Sequence, residues 1–182
     1  DVDFIKALLA EIKSKYNIDD KRIYAAGLSN GGMMCYLLAC ELPEYFAAVA
    51  PVAATMFDTV ACHSKSEVSL IIFNSIDDQH ISYNGGVGEK SLVDVEKLSV
   101  ETVVNLWVKK YNCYLMHNSE SSSFHKTNYK NNNGTEIVLY KMLGGGHSWP
   151  GGEKIRAFAD NPVKNVSATD LIWEFFKNNP KH

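Results

Sequence analysis

Ser29 stands in Gly27-Leu28-Ser29-Asn30-Gly31, a G-x-S-x-G pentapeptide. Chance places such a pattern in about one chain in twenty of this length, taking Gly and Ser at roughly 7% each. Its context is more informative. Arg22 to Ala26 reads as a short buried strand and Met33 to Cys40 as an apolar helix, so the serine falls on a strand-to-helix turn. Glycines two residues before and after it let the backbone reverse sharply and lift the hydroxyl clear of a sheet. The Asn30 amide, at the helix N-terminus, then points toward charge developing on a carbonyl oxygen and supplies half of an oxyanion hole. The helix is apolar on nearly every side, so a charge at Leu37 or Leu38 is expected to unfold the protein.

A serine hydroxyl needs a general base to become a nucleophile, and an imidazole base needs an acid to orient it. Where the serine sits on a strand-to-helix elbow, the chain order is serine, acid, histidine. Both partners should follow strands, because ligands bind beyond the carboxyl ends of parallel strands. Val68 to Phe73 is a continuous β-branched run followed by Asn74-Ser75-Ile76-Asp77-Asp78. Glu136 to Met142 reads as a strand followed by Gly144-Gly145-Gly146-His147. Three suitable residue types thus end three strands in the required order, with Asp77 and Asp78 both open as the acid.

The remaining elements must hold those strands in one layer. Residues 2 to 16 place Phe4, Ile5, Leu8, Leu9, Ile12 and Tyr16 on one stripe of an amphipathic helix. Phe46 to Ala54 reads as another buried strand. Ser99 caps a helix bearing Val100, Val103, Val104 and Trp107 up to Tyr111. The polar stretch from Ser119 to Asn133 contains Phe124 to Lys130, which pairs with Glu136 to Met142 across Asn133-Gly134 as a hairpin. Ser167-Ala168-Thr169-Asp170 opens a last helix carrying Leu171, Ile172, Phe175 and Phe176. Alternating helix and buried-strand patterns predict an α/β fold, a mostly parallel sheet with helices on both faces.

With 182 residues, 46% of them hydrophobic and 21% charged, the chain has the composition of one globular domain. A net charge of −3 gives no electrostatic reason to bind nucleic acid or an anionic membrane surface, and the apolar runs fall short of the ~20 residues that span a bilayer. Cys35, Cys40, Cys62 and Cys113 fit buried small hydrophobes, with one or two disulfides open. His80 beside Asp77 and Asp78 imitates a metal cluster but lacks a third ligand at usable spacing, so no metal is expected. His63, His80, His117, His125 and His182 read as surface residues. Asn133-Gly134-Thr135 and Asn165-Val166-Ser167 match the glycosylation sequon.

The stretch from Ile23 through Gly32 to Cys40, with Gly144-Gly145-Gly146-His147-Ser148-Trp149-Pro150-Gly151-Gly152, resembles the esterase family of polyhydroxybutyrate depolymerases and feruloyl or acetylxylan esterases. The resemblance implies an α/β-hydrolase fold, with Ser29 as nucleophile and His147 as base. In that family the acid lies a few residues before Tyr-Asn-Gly-Gly. Here that segment is Tyr83-Asn84-Gly85-Gly86, and counting back selects Asp78, with Asp77 second. Asn74 and Ser75 depart from the family's usual His-Gly. Tyr83 and Trp149 are candidates either for lining the substrate cleft or for packing the loops that hold Asp78 and His147.

By the same resemblance the chain is expected to be a serine esterase without cofactor, acting on an ester substrate that is polymeric in some members, outside the cell or in the periplasm. The family's elbow comes after several strands and a loop that supplies the second oxyanion amide. Residues 1–182 are therefore expected to be a single catalytic unit, the C-terminal portion of a larger α/β-hydrolase domain whose N-terminal strands lie outside this chain. The strand before the elbow would then be exposed at a sheet edge and the first helix partly uncovered. The rival reading is a non-catalytic carbohydrate-binding or interaction module that keeps the fold. The joint presence of Ser29, an acid and His147 argues against it, since nothing structural demands all three.

Overall fold

The computed structural model describes residues 1–59, 62–63, 66–154 and 159–181. In chain order the elements are α1 (Val2–Lys15), β1 (Tyr24–Leu28), α2 (Asn30–Glu41), β2 (Ala48–Val52), β3 (Ser69–Ser75), α3 (Val100–Lys110), β4 (Tyr114–Glu120), β5 (Phe124–Lys130), β6 (Glu136–Met142) and α4 (Ala168–Asn178). One six-stranded sheet runs in the order β1-β2-β3-β6-β5-β4. The pairings β1 to β2, β2 to β3 and β3 to β6 are parallel, while β5 pairs antiparallel with β6 and with β4. The expected α/β architecture holds. Since β1, β3 and β6 run the same way, their carboxyl ends, which precede Ser29, Asp78 and His147, open on one edge of the sheet.

Side chains alternate across a strand, so each strand feeds two cores. Leu70, Ile72, Ile137 and Leu139 pack with α2 and α3 through Tyr36, Leu38, Val103 and Trp107. Ile71, Phe73, Val138 and Tyr140 face the other way, onto Ile172, Phe175 and Phe176 of α4. The caps form as read: Ser99 Oγ accepts from Thr102 N at 3.1 Å and Ser167 Oγ from Asp170 N at 3.3 Å. Cys40 and Cys62 are joined in a disulfide, while Cys35 and Cys113 are free.

One strand departs from these expectations, while the first helix shows the partial exposure expected of it. Strand β4 was not anticipated, because Tyr114 to Glu120 lies along an open edge and is exposed at nearly every position, without the alternation a half-buried strand shows. The stripe of α1 is only half covered: Val2, Ile5 and Leu9 pack on the core, whereas Phe4 and Tyr16 remain 67% and 65% exposed. Strand β1 forms the opposite edge of the sheet. His182 lies outside the described residues.

In α2, Leu38 is buried but Leu37 only half-buried, so the two are not equivalent. Leu38→Asp should abolish cooperative melting, a loss of at least about 4 kcal/mol from an unpaired buried carboxylate and a vacated core site. Leu37→Asp should remain folded with a lowered Tm. Thermal denaturation followed by circular dichroism separates these outcomes; equal behaviour would contradict the assignment of faces.

Candidate active site

Ser29 is the N-cap of α2 and takes φ 56°, ψ −117°, a backbone conformation unusual for a residue with a side chain. Its amide donates to Val52 O and its carbonyl accepts from Met33 N, both at 2.9 Å, so strand β2 and the first helical turn hold it there. The close packing of the elbow differs from the expected symmetry of glycines around the serine. A Cβ at Gly27 would lie 2.4 Å from the Gly31 carbonyl carbon, and one at Gly32 would lie 2.5 Å from Ala54 Cβ, whereas one at Gly31 would meet nothing within 4 Å. Gly27 and Gly32, not Gly31, are the positions where a side chain cannot fit.

At the end of β6, His147 Nδ1 lies 2.8 Å from Asp78 Oδ2. The Asp78 side chain is 0% exposed and that of His147 is 16% exposed. Asp78 Oδ1 accepts the amides of His80 and Ile81 at 2.8 and 2.9 Å, so both carboxylate oxygens are engaged and the group is fixed. Asp77 turns away from the imidazole. Its Oδ1 accepts from Gly146 N at 2.9 Å and lies 2.5 Å from Ser75 Oγ, which ties the end of β3 to the glycine turn. Asn74 also has a local task, donating from Nδ2 to Ala54 O at 3.1 Å.

Ser29, Asn30 and His147 line one cavity of about 340 Å³ with Met33, Phe57, His80, Ile81, Ser91, Leu92, Val93 and Lys97. Ser29 and His147 both line this space, and no hydrogen bond joins the hydroxyl to the imidazole. The arrangement brings together a serine hydroxyl at a helix N-terminus, an imidazole and a buried carboxylate that holds one ring nitrogen of that imidazole.

Tyr83 and Trp149 lie apart from that cavity lining. Tyr83 is buried in the core, its hydroxyl donating to Glu101 Oε1 at 2.6 Å and its ring facing Lys141 Nζ at 4.8 Å. Burial first, then the bond to Glu101 and its charge, hold the Tyr83 phenol above its ordinary pKa, so it stays a donor. Trp149 Nε1 donates to Thr169 Oγ1 at 3.0 Å, joining the loop after His147 to α4. Both contacts brace the loops that carry the acid and the histidine.

Two residues of the site were not anticipated. Asp160 Oδ2 accepts from His147 N at 2.7 Å and sets the histidine's backbone, a contact across a loop that leaves no local pattern. His80 was expected at the surface. It is instead half-buried, with its ring 4.8 Å from that of His147, because the turn wrapped around Asp78 Oδ1 folds it back. Its nearness also supplies the third ligand that spacing lacked: Asp78, His80 and His147 each place one ligand atom within 4.8 Å of the others. Oδ1 of Asp78 is taken by two backbone amides and Oδ2 by His147, so the carboxylate is committed to the imidazole and its own turn.

The profile of the prolyl oligopeptidase family matches residues 2–84. Feruloyl esterase B of Piromyces equi is 30% identical over 156 residues, covering 81% of this chain and 29% of that protein. Poly(3-hydroxyalkanoate) depolymerase C of Paucimonas lemoignei is 26% identical over 168 residues, covering 80% of this chain and 40% of that protein. The chain thus spans well under two thirds of either relative. An acetyl xylan esterase from Aspergillus awamori superposes over 97% of this chain and 67% of its own with a TM-score of 0.63 at 14% identity, a likeness of fold. These matches agree with the resemblance drawn from the elbow and the histidine segment and with an α/β-hydrolase fold.

Proposed function

We propose that this chain, a relative of feruloyl esterases and polyhydroxyalkanoate depolymerases with an α/β-hydrolase fold, carries the catalytic centre of a serine carboxylic ester hydrolase. The observation that carries this reading is the 2.8 Å contact between buried Asp78 and His147, at the cavity that Ser29 also lines. Asp78 accepts a hydrogen bond from Nδ1–H and keeps that proton on the ring, which leaves Nε2 as the base. His147 takes the Ser29 proton as Oγ attacks the ester carbonyl, and Asn30 N–H donates to the oxyanion. The imidazolium then protonates the departing alkoxide, leaving an acyl-serine. A water activated by the same imidazole releases the acid and restores Ser29.

The names of the relatives support feruloyl esters or poly(3-hydroxyalkanoates) as substrates. The Cys40–Cys62 disulfide supports work in an oxidising compartment, outside the cell or in the periplasm. Among the described residues, no helix is long and apolar enough to cross a membrane.

A fluorophosphonate probe tests the reading directly. Peptide mapping of the labelled protein should place the adduct on Ser29, and Ser29→Ala should take up none. Absence of labelling in the wild type, under conditions where a control serine hydrolase reacts, would remove Ser29 as an activated nucleophile.

A further inference from the structure

The cavity beside Ser29 is lined by a lysine that neutral ester hydrolysis does not need. Lys97 is only 6% exposed and lines the cavity with Ser29 and His147. Its ammonium forms no salt bridge among the described residues. Nζ donates to Val95 O at 3.2 Å and sits 5.8 Å from the centre of the Phe57 ring. Lysine is rarely buried without a partner, because an ammonium removed from water needs a counter-charge. Here one carbonyl and one aromatic face take the place of that charge, and donor capacity remains. Met33, Phe57, Ile81, Leu92 and Val93 make much of the rest of the wall apolar, and Lys97 is the one lysine or arginine among the lining residues.

The chain holds this lysine from both sides. Gly86 N donates to Lys97 O at 2.9 Å and Lys97 N to Gly86 O at 3.2 Å. On the next residue, Leu98 N donates to Met56 O and Leu98 O accepts from Thr55 Oγ1. Gly85, at φ 83°, passes so close that a Cβ would lie 2.7 Å from Ser99 N and 2.9 Å from Lys97 O. The exposed acids Glu89, Asp94 and Glu96 lie on the same loop but form no bridge to Lys97.

We propose that Lys97 is an anion-recognition residue of the catalytic cavity and that the favoured substrates are esters carrying a carboxylate, on either the acyl or the alcohol portion. A charge-assisted bond to such a carboxylate would satisfy the ammonium and orient the ester over Ser29. The proposal rests on the esterase reading for the position of the reacting carbonyl.

Two matched pairs of esters test it. Mono-4-nitrophenyl adipate against 4-nitrophenyl hexanoate varies charge on the acyl side. 4-Acetoxybenzoate against methyl 4-acetoxybenzoate varies it on the alcohol side. In the wild type the anionic member of one pair should have the higher kcat/KM, by at least tenfold, and the pair that responds identifies the side. Lys97→Met should lower that anionic-to-neutral ratio at least tenfold, whereas Lys97→Arg should keep it within about threefold. A wild-type ratio near one in both pairs, or a ratio indifferent to Lys97→Met in a variant that melts normally, would overturn the proposal. A binding arm separates it from the esterase reading. By calorimetry, monomethyl adipate or 4-acetoxybenzoate should bind Ser29→Ala at least tenfold more tightly than Ser29→Ala with Lys97→Met. If the wild type cleaves none of the four esters and resists the fluorophosphonate, the esterase reading fails, and calorimetry alone decides Lys97, with equal affinities counting against it.

Discussion

Ser29→Ala and His147→Ala should each lower kcat on an ester substrate by about 10³-fold or more, the loss expected when a serine nucleophile or its base is removed from a triad. The assay is turnover of 4-nitrophenyl acetate by the full-length protein, with melting curves to show that each variant is folded. Retention of more than about a tenth of wild-type activity by either variant would break the assignment. The two neighbouring aspartates sharpen the test. Asp78→Asn replaces the oxygen that accepts from Nδ1 with a group that can donate, which favours the wrong imidazole tautomer and should cost about 10³–10⁴ in kcat. Asp77→Asn keeps a carbonyl oxygen able to accept from Gly146 N and Ser75 Oγ, so its effect should stay within about tenfold. Reversed results would make Asp77 the acid.

The parts of this site legible in the sequence are those dictated by local geometry. An elbow needs glycine, a buried parallel strand needs a β-branched run, and a catalytic side chain follows a strand end. Ser29, an acid at position 77 or 78 and His147 therefore stand out although they lie far apart in the chain, and only the family resemblance selected Asp78 over Asp77. The β5–β6 hairpin was legible for the same reason, since the turn at 131–135 fixes the register that pairs Lys130 with Glu136. The parts not legible depend on contacts between distant segments. Lys97 looks like one more charge in a polar loop. The two-way pairing with Gly86, together with the bond from Thr55 to the carbonyl of neighbouring Leu98, sets it at the cavity. His80 and Asp160 likewise acquire their places from the turns around Asp78 and His147.

The α1 helix marks a second limit. Hydrophobic periodicity reports which face of a helix is apolar, not how much of that face the chain covers. The period of α1 is correct, and yet Phe4, Leu8 and Tyr16 of its stripe are exposed. Burial is a property of neighbours.

The elbow glycines carry the other large expected effect, and here the structure departs from what the pentapeptide suggests. In Gly27-Leu28-Ser29-Asn30-Gly31 the two glycines look equivalent, but their surroundings are not. A methyl group on Gly27 would meet three Gly31 backbone atoms between 2.4 and 2.8 Å. Backbone cannot rotate aside as a side chain does, so the strand and the helix would have to separate. The overpacking should cost about 1–3 kcal/mol or somewhat more, a fall in Tm of roughly 5–10 °C. A shift of about 1 Å in Ser29 Oγ would lower kcat about 10²-fold even in molecules that remain folded. Gly32→Ala should also be damaging, because its methyl would approach Ala54 Cβ to 2.5 Å and the carbonyls of Gly27 and Val52 to 3.0 Å. Gly31→Ala differs in sign. Its methyl meets nothing within 4 Å, its φ is not positive, and alanine favours a helix over glycine by about 0.5–1 kcal/mol. That variant should melt at or above the wild-type temperature. Melting curves and fluorophosphonate labelling rates for the three single variants provide the comparison. If Gly31→Ala proved the most damaging of the three, the close contact that shapes the elbow would have to lie elsewhere than between Gly27 and the first turn of α2.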